Sequence, residues 1–302
     1  MIWPRIFTAM ITPFDRHGDL DLDTAGRLAA WMVEHGTDGL MVAGTTGESP
    51  TLTDQERHDL FFAVRSSVPA HIPVWVGTGS NNTRQSIEWT RAAEEWGADG
   101  VLVVSPYYNK PPQYALVKHF TAIAQATRLP LMLYNVPGRT ATNVEPDTVS
   151  RVIEQAPNLM AIKEASGNIG QIAHLLSQTP TAFKVYSGDD AMFYPALSLG
   201  AHGVVSVASH VAGDALQSLW RAWDAHDVER AYGLHCALLP LFEELFRLTN
   251  PIPVKWALTQ MGWPVETVRL PLAMPEDQRM LQRLGQLLRE MSELNLEVPH
   301  VR

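Results

Sequence analysis

Lys163 is the residue of this sequence whose type and setting best suit covalent chemistry. It ends the apolar run Asn158-Leu-Met-Ala-Ile162, so its side chain should leave a buried strand at the strand's carboxyl end. An amine that loses its hydration there has a lowered pKa and can attack a carbonyl carbon. The structural alternative is a lysine that reaches solvent or pairs with the adjacent Glu164.

Tyr134 ends the preceding predicted strand and can therefore lie beside Lys163. Schiff-base chemistry needs a group that carries protons on and off the carbinolamine and the enamine carbon, and a phenol in a relay of hydroxyls can do this. Thr45 and Tyr108 end nearby predicted strands and could complete that relay. Taken singly, Tyr134 could instead be a capping aromatic and Thr45 a turn residue.

Two further segments could hold carboxylates. The turn Gly44-Thr-Thr-Gly-Glu48 offers backbone N–H groups and two hydroxyls. The guanidinium fork of Arg139 could hold a second carboxylate through two parallel hydrogen bonds. One amine and two carboxylate sites predict a 2-oxo acid and an acidic co-substrate. No metal or other cofactor is predicted, because imine formation supplies the electron sink and the histidines show no ligand spacing such as His-Glu-x-x-His.

The elements that must position these residues alternate regularly along the chain. Eight short apolar runs are separated by amphipathic stretches, and Thr53 with Glu56 forms a helix-capping pattern. Eight such units predict a closed (β/α)8 TIM barrel with its chemistry at the carboxyl ends of the strands. An open doubly wound sheet is the alternative, but no Gly-x-Gly-x-x-Gly turn follows the first strand. The predicted strands cover residues 6–11, 40–43, 74–76, 101–104, 131–133, 159–162, 183–186 and 203–206, and helices are predicted over 24–34, 54–65, 83–96, 113–127 and 169–178.

Length and composition fit one barrel with an addition. The 302 residues are 46% hydrophobic, and single barrels commonly run to ~250 residues. We predict a barrel over residues 1–227 and a C-terminal helical region over 228–302. The net charge of −9 argues against a nucleic-acid groove or an anionic membrane surface.

The cysteine content and the N-terminus bear on the compartment. Cys236 is the single cysteine, which excludes an internal disulfide, and it is predicted to be a small core residue. The N-terminus shows no signal-peptide pattern, and no apolar run approaches the ~20 residues of a membrane helix. A soluble cytoplasmic protein is therefore expected.

Six segments together resemble the dihydrodipicolinate synthase / N-acetylneuraminate lyase superfamily over nearly the whole chain. They occur in the expected order and spacing, which makes the resemblance specific. The segments are Gly44-Thr-Thr-Gly-Glu-Ser49, Pro106-Tyr-Tyr-Asn109, Tyr134-Asn-Val-Pro-Gly-Arg-Thr140, Ile162-Lys-Glu-Ala-Ser-Gly167, Ser187-Gly-Asp-Asp190 and Asn250-Pro-Ile-Pro-Val-Lys-Trp256.

The resemblance implies a role for each predicted site residue. Lys163 would form the Schiff base with pyruvate, and Tyr134, Thr45 and Tyr108 would be the proton relay, with Tyr108 reaching into a neighbouring subunit's site. Arg139 would bind the carboxylate of the aldehyde substrate. Backbone or side-chain contacts to pyruvate are implied at Thr46, Gly188 and Val205. The resemblance also implies a homo-oligomer, most simply a tetramer built as a dimer of dimers.

Within the superfamily, Tyr108 and Arg139 favour the synthase branch, in which pyruvate condenses with L-aspartate-4-semialdehyde. A class I aldolase for a 2-keto-3-deoxy sugar acid or sialic acid is the alternative, and a barrel that only senses a 2-oxo acid is the non-enzyme alternative. Asp54, Arg57 and Gln85 depart from the residues expected at the lysine feedback site. Weak inhibition by L-lysine is therefore predicted.

Overall fold

The computed structural model describes residues 3–293, except the side chains of residues 278, 280, 292 and 293. The strands are β1 (Ile6–Ala9), β2 (Gly39–Val42), β3 (Val74–Gly77), β4 (Gly100–Val104), β5 (Leu131–Asn135), β6 (Leu159–Glu164), β7 (Lys184–Ser187) and β8 (Gly203–Ser206). The helices are α1 (Leu22–Glu34), α2 (Asp54–Ser67), α3 (Thr83–Trp96), α4 (Gln113–Ala124), α5 (Pro137–Thr140), α6 (Pro146–Gln155), α7 (Ile169–Gln178), α8 (Phe193–Leu199), α9 (Ser209–Asp224), α10 (Val228–Leu245), α11 (Ile252–Gln260) and α12 (Gln282–Glu293).

The eight strands form a closed barrel in the order of the sequence. The described strand pairs are parallel, and in the pairing of β5 with β6 Tyr134 lies opposite Lys163. Most strand residues are buried because helices cover the outer face of a parallel barrel while side chains fill its interior. The predicted (β/α)8 barrel with a C-terminal helical extension is confirmed.

Helix starts follow the predicted capping chemistry. Thr53 accepts a hydrogen bond from the backbone of Glu56, whose carboxylate in turn accepts from the backbone of Thr53. Asn82 caps α3 through its side-chain oxygen. These bonds satisfy N–H groups that have no partner inside the helix, which fixes where the chain leaves each loop.

The described chain contains two compact units. Among the described residues, the N/C unit comprises residues 3–72 and 206–293 and holds β1, β2, α1, α2 and α9–α12. The middle unit comprises residues 73–205 and holds β3–β7 with α3–α8. The predicted boundary between residues 227 and 228 coincides with the start of α10, but the two domains remain a prediction, and residues 294–302 lie outside the described chain.

Cys236 is exposed, so its predicted place in the core is wrong. The buried residues of α10 include Ala231, His235, Leu238 and Phe242, which recur at helical spacing along one face. Cys236 follows His235 directly and is turned away from that face by about 100°, the angle per residue of an α-helix. The segment is rich in apolar residues, but only one face of the helix is buried, and Cys236 lies off that face.

No helix of the described residues is long and apolar enough to span a membrane. Within the same residues, no three or more His, Cys, Asp or Glu side chains are grouped so that they could hold a metal ion.

Candidate active site

Lys163 lies near the carboxyl end of β6 and is 5% exposed. Burial lowers the pKa of its amine to about 7, because a charged ammonium loses hydration there; the charge of Asp190 opposes this shift and that of Arg139 adds to it. A lowered pKa increases the share of the amine that is neutral near pH 7. A neutral amine has the free electron pair that attack on a carbonyl requires.

Tyr134 stands beside this amine. Lys163 Nζ lies 4.2 Å from the centroid of the Tyr134 ring, and the two residues are direct partners in the pairing of β5 with β6. Both side chains are buried. The sequence-based expectation that these two residues adjoin is met, and the amine lies against the face of the Tyr134 ring.

Gly188 follows β7 and packs against the stem of Lys163. A Cβ at this position would lie 2.9 Å from both Cγ and Cε of Lys163 and 2.7 Å from Cβ of Ala165. The Gly188 N–H donates to the Glu164 carbonyl at 2.7 Å. Glycine is needed here for close approach, since a side chain would push the lysine out of its present position.

Arg139 and Tyr108 lie on loops that follow strands of the middle unit. Arg139 is exposed on the single-turn helix α5, and its charge acts on Lys163 as described. Tyr108 is 89% exposed and has a left-handed backbone with φ of 75°, which is unusual for an aromatic residue. Its phenol therefore points away from the protein body, where a neighbouring molecule can reach it. Val205 is buried within β8.

Glu164 does not pair with Lys163, so the structural alternative for the lysine is wrong in that respect. Its carboxylate accepts hydrogen bonds from the side chains of Asn135 and Gln171 and from the Ser166 N–H. The side chains of adjacent residues in a strand point to opposite faces, which puts the two charges on different sides of the barrel wall.

In the N/C unit, Thr45 and Thr46 lie in the turn after β2. Thr45 is half-buried. Thr46 is buried, and its Oγ1 accepts from Asn250 Nδ2 at 2.9 Å. The turn ends at Glu48, which has a left-handed backbone with φ of 53° and a buried side chain. A left-handed residue with a long side chain persists only where its surroundings hold it.

A buried ion pair holds Glu48 in this conformation. Lys255 Nζ donates to Glu48 Oε1 at 2.6 Å and to the Thr267 carbonyl at 2.7 Å, and the Arg269 N–H donates to Glu48 Oε2 at 2.9 Å. Burial lowers the pKa of Lys255 to about 8, while the charge of Glu48 opposes the shift. No sequence pattern predicts this pair, and its only sign in the sequence is a lysine within the segment Asn250–Trp256.

Lys255 is thus a second buried lysine with a lowered pKa, but its surroundings differ from those of Lys163. Its Nζ also lies 4.5 Å from the centroid of the Phe14 ring. The amine is engaged by a carboxylate, a carbonyl and an aromatic face, an arrangement that favours its charged form and suits a structural group. Lys163 is therefore the better candidate nucleophile.

The three residues at the expected lysine feedback site, Asp54, Arg57 and Gln85, differ in their burial. Arg57 is buried, and its guanidinium donates to the carbonyl and to the hydroxyl of Ser49 at 2.6 and 2.7 Å. Asp54 is exposed and Gln85 is half-buried. Weak inhibition by L-lysine stays a prediction.

The closed barrel and the buried amine beside a tyrosine define the class of lysine-dependent barrel lyases. The chain belongs to the dihydrodipicolinate synthetase family, whose sequence profile matches residues 3–291. The predicted family is confirmed.

Close relatives agree with this assignment. The chain is 52% identical to 4-hydroxy-tetrahydrodipicolinate synthase of Moorella thermoacetica over 272 residues, which are 90% of this chain and 93% of the relative. It is 49% identical to the enzyme of the same name from Bacillus subtilis over 281 residues, which are 93% of this chain and 97% of the relative. A crystal structure of the Cyanidioschyzon merolae dihydrodipicolinate synthase with lysine bound is 46% identical, with a TM-score of 0.93 over 97% of this chain and 98% of that one.

Proposed function

We propose that this protein is a Schiff-base-forming lyase that condenses pyruvate with L-aspartate-4-semialdehyde to give 4-hydroxy-tetrahydrodipicolinate, a step toward diaminopimelate and lysine. The observation that carries the proposal is the buried amine of Lys163, with a pKa near 7, beside the ring of Tyr134. The name shared by relatives at about 50% identity supports the same substrates. Nothing in the relatives supports a sugar-acid or sialic-acid aldolase, or a barrel that only senses a 2-oxo acid.

The reaction begins at the ketone carbon of pyruvate. The neutral Lys163 amine attacks this carbon, and loss of water from the carbinolamine leaves an imine. A proton then leaves the methyl carbon to give an enamine, with the protonated imine nitrogen as electron sink. We assign Tyr134, Thr45 and Tyr108 to the relay that moves these protons.

The enamine carbon then attacks the aldehyde carbon of the semialdehyde and forms the new C–C bond. The semialdehyde's own amino group displaces Lys163 from the imine carbon, which closes the ring and frees the lysine. We assign Arg139 to the carboxylate of the aldehyde substrate. Thr46, Gly188 and Val205 are assigned to pyruvate binding. The balance of the reaction is one pyruvate and one semialdehyde converted to one product and one water.

We further propose a cytoplasmic homo-oligomer, arranged as a tetramer of two dimers, in which Tyr108 works in the site of a neighbouring subunit. The 89% exposure of Tyr108 supports this assignment, since a relay phenol must be removed from water to act. The barrel over residues 1–227 is proposed as the catalytic domain, with residues 228–302 as the C-terminal helical region.

Borohydride trapping tests the chemistry directly. The protein is incubated with pyruvate, reduced, digested and mapped by mass spectrometry. We expect one reduced adduct on Lys163, and turnover when L-aspartate-4-semialdehyde is supplied in place of other aldehydes. An adduct on Lys255 instead, or no adduct, would contradict the proposal. Lys255 is the informative internal comparison because it too is buried with a lowered pKa.

A further inference from the structure

The residues that follow Tyr134 and Lys163 in their strands are joined by a direct hydrogen bond. Asn135 Nδ2 donates to Glu164 Oε2 at 2.9 Å, and both residues are buried. Since side chains alternate along a strand, this bond lies on the helix-facing side of the barrel wall, opposite Tyr134 and Lys163. It ties β5 to β6 at the level of the proposed catalytic pair.

The bond belongs to a closed network around the Glu164 carboxylate. Gln171 Nε2, from α7, donates to Glu164 Oε2 at 2.8 Å, and the Ser166 N–H donates to Glu164 Oε1 at 2.7 Å. Asn143 Oδ1 accepts from Asn135 at 2.9 Å and from Gln171 at 3.1 Å, while Asn143 Nδ2 donates to Gln171 Oε1 at 2.8 Å. Such a satisfied buried network is rigid, since moving one member leaves another buried group unpaired.

The same network closes the loop that carries Arg139. Asn135 Oδ1 accepts from the Val144 N–H at 2.9 Å, so one side chain bridges the start and the end of the loop. This bond also fixes the amide of Asn135, because its oxygen must face Val144 and its nitrogen must face Glu164. Lys163 and Tyr134 each directly precede a member of the network in the sequence. Arg139 lies in the loop between two other members, Asn135 and Asn143.

We propose that Glu164 and Asn135 are positioning residues of the reaction: their bond on the outer side of the wall sets where Lys163, Tyr134 and Arg139 stand on the inner side. This inference rests on the proposed function and extends it to residues that touch no substrate. The Glu164 carboxylate is the hub, because it is the acceptor for three separate donors.

The test begins with Glu164→Gln, which keeps the shape of the side chain. Its N–H2 group must face either the donors of Asn135 and Gln171 or the Ser166 N–H, so at least one hydrogen bond is lost in either orientation. We expect kcat to fall by about 10- to 100-fold, because displacements of about 1 Å in reacting groups have effects of that size. Pyruvate trapping at Lys163 should slow as well. KM for pyruvate should change less than kcat, since the substrate contacts themselves are retained.

A double variant distinguishes positioning from general damage. In Asn135→Asp with Glu164→Gln the acceptor and donor exchange places. Rotation of the Asn143 and Gln171 amides then lets every bond between side chains form with reversed polarity, while the Ser166 and Val144 N–H groups still each meet an oxygen. We expect this double variant to recover kcat to within about threefold of the wild type, which a pair of independent lesions would not do.

The matched control is Asn158→Asp, at the other end of the strand that holds Lys163. Asn158 Nδ2 donates to the carbonyls of Ala124, Thr127 and Leu129, so the exchange of nitrogen for oxygen causes the same kind of conflict. We expect this variant to lose thermal stability while its kcat stays within about twofold of the wild type. A loss of stability alone therefore does not account for a loss of kcat.

The outcomes separate the two claims. If the wild type neither traps pyruvate at Lys163 nor turns over, the proposed function fails. If the wild type is active and folded Glu164→Gln keeps its kcat, or the folded double variant recovers nothing, the positioning role is overturned. Should neither variant fold, Gln171→Met removes one donor from Glu164 without adding charge; a severalfold loss of kcat supports the role, and wild-type kcat refutes it.

Discussion

Replacing Gly188 by alanine should displace the proposed nucleophile without changing any of its chemical groups. The new Cβ would lie 2.9 Å from Cγ and Cε of Lys163, and 2.7 Å from Cβ of Ala165. Non-bonded carbons are comfortable at about 3.5–4.0 Å, so the lysine stem must retreat by about 0.6–1.1 Å. The backbone of Gly188 is not in the left-handed region, so the substitution acts through space alone.

Two separate magnitudes follow from this geometry. Insertion of a methyl group into a packed site costs about 1–3 kcal/mol of the free energy of unfolding. A displacement of about 1 Å in a reacting group costs about 100-fold in rate. We therefore expect a modest loss of thermal stability and a loss of about 100-fold in the rate of imine formation by Gly188→Ala.

The assay is the rate of borohydride-trapped adduct at Lys163, alongside thermal unfolding. Gly233→Ala is the control, since a Cβ there meets nothing within 4 Å and the residue lies inside α10. That variant should gain roughly 0.5–1 kcal/mol in stability, as alanine does over glycine in helices, and trap pyruvate normally. A wild-type trapping rate in folded Gly188→Ala would refute the reasoning that the contact positions the amine.

Four further predictions concern charge, selectivity, assembly and regulation. The rate of pyruvate trapping should rise with pH through about 7 and then level off, because the neutral amine of Lys163 is the reactive form; a flat profile between pH 6 and 8 would contradict a pKa of about 7. Arg139→Ala should lower kcat/KM for L-aspartate-4-semialdehyde by the equivalent of about 2–5 kcal/mol and leave pyruvate trapping at high pH unchanged. The midpoint of the pH profile of trapping should move upward, because the charge of Arg139 lowers the pKa of Lys163. An equal loss of pyruvate trapping and of semialdehyde turnover would mean that the arginine is structural. Mixing inactive Tyr108→Phe with inactive Lys163→Ala subunits should restore activity, and no recovery after full subunit exchange would exclude action of Tyr108 across an interface. L-Lysine should inhibit weakly, and Gln85→Glu should strengthen inhibition about ten-fold by adding a charged acceptor, as initial rates in a lysine titration would show; strong inhibition of the unaltered protein would contradict the prediction.

The barrel could be predicted from the sequence because each buried strand is a short apolar run. The helix predicted over residues 83–96 has the same bounds as α3, which Asn82 caps at its start and which Gly97 follows in a left-handed conformation. The strand with Lys163 was predicted two residues short, because the run of apolar residues ends at Ile162 while the hydrogen-bonded strand continues to Glu164. A pattern of apolar residues cannot predict that a strand continues through charged residues at its end.

The sequence also located Lys163 beside Tyr134, since consecutive parallel strands place their carboxyl ends together. The sequence does not predict the partners of two carboxylates near these residues, those of Glu164 and Glu48. The sequence alone allows Glu164 to pair with Lys163, but alternation along the strand turns the Glu164 carboxylate to the helix layer. The pair of Glu48 with Lys255 joins residues 207 positions apart, and no local pattern carries that information. The predicted core position of Cys236 is wrong because the apolar composition of its segment does not show which face of α10 each residue occupies.

The anchoring of Glu48 has a consequence for the order in which the protein can mature on the ribosome. Its carboxylate is held by Lys255 and by the Arg269 N–H, and the next helix is tied to the same segment through an ion pair of Glu56 with the Arg269 side chain. At about 5–20 residues per second, synthesis takes on the order of 10–40 seconds to advance from residue 48 to residue 255. Until then a buried Glu48 would be an unpaired charge. The turn with Thr45 and Thr46 should therefore stay exposed to solvent until the last sixth of the chain, which carries Lys255 and Arg269, has been synthesised.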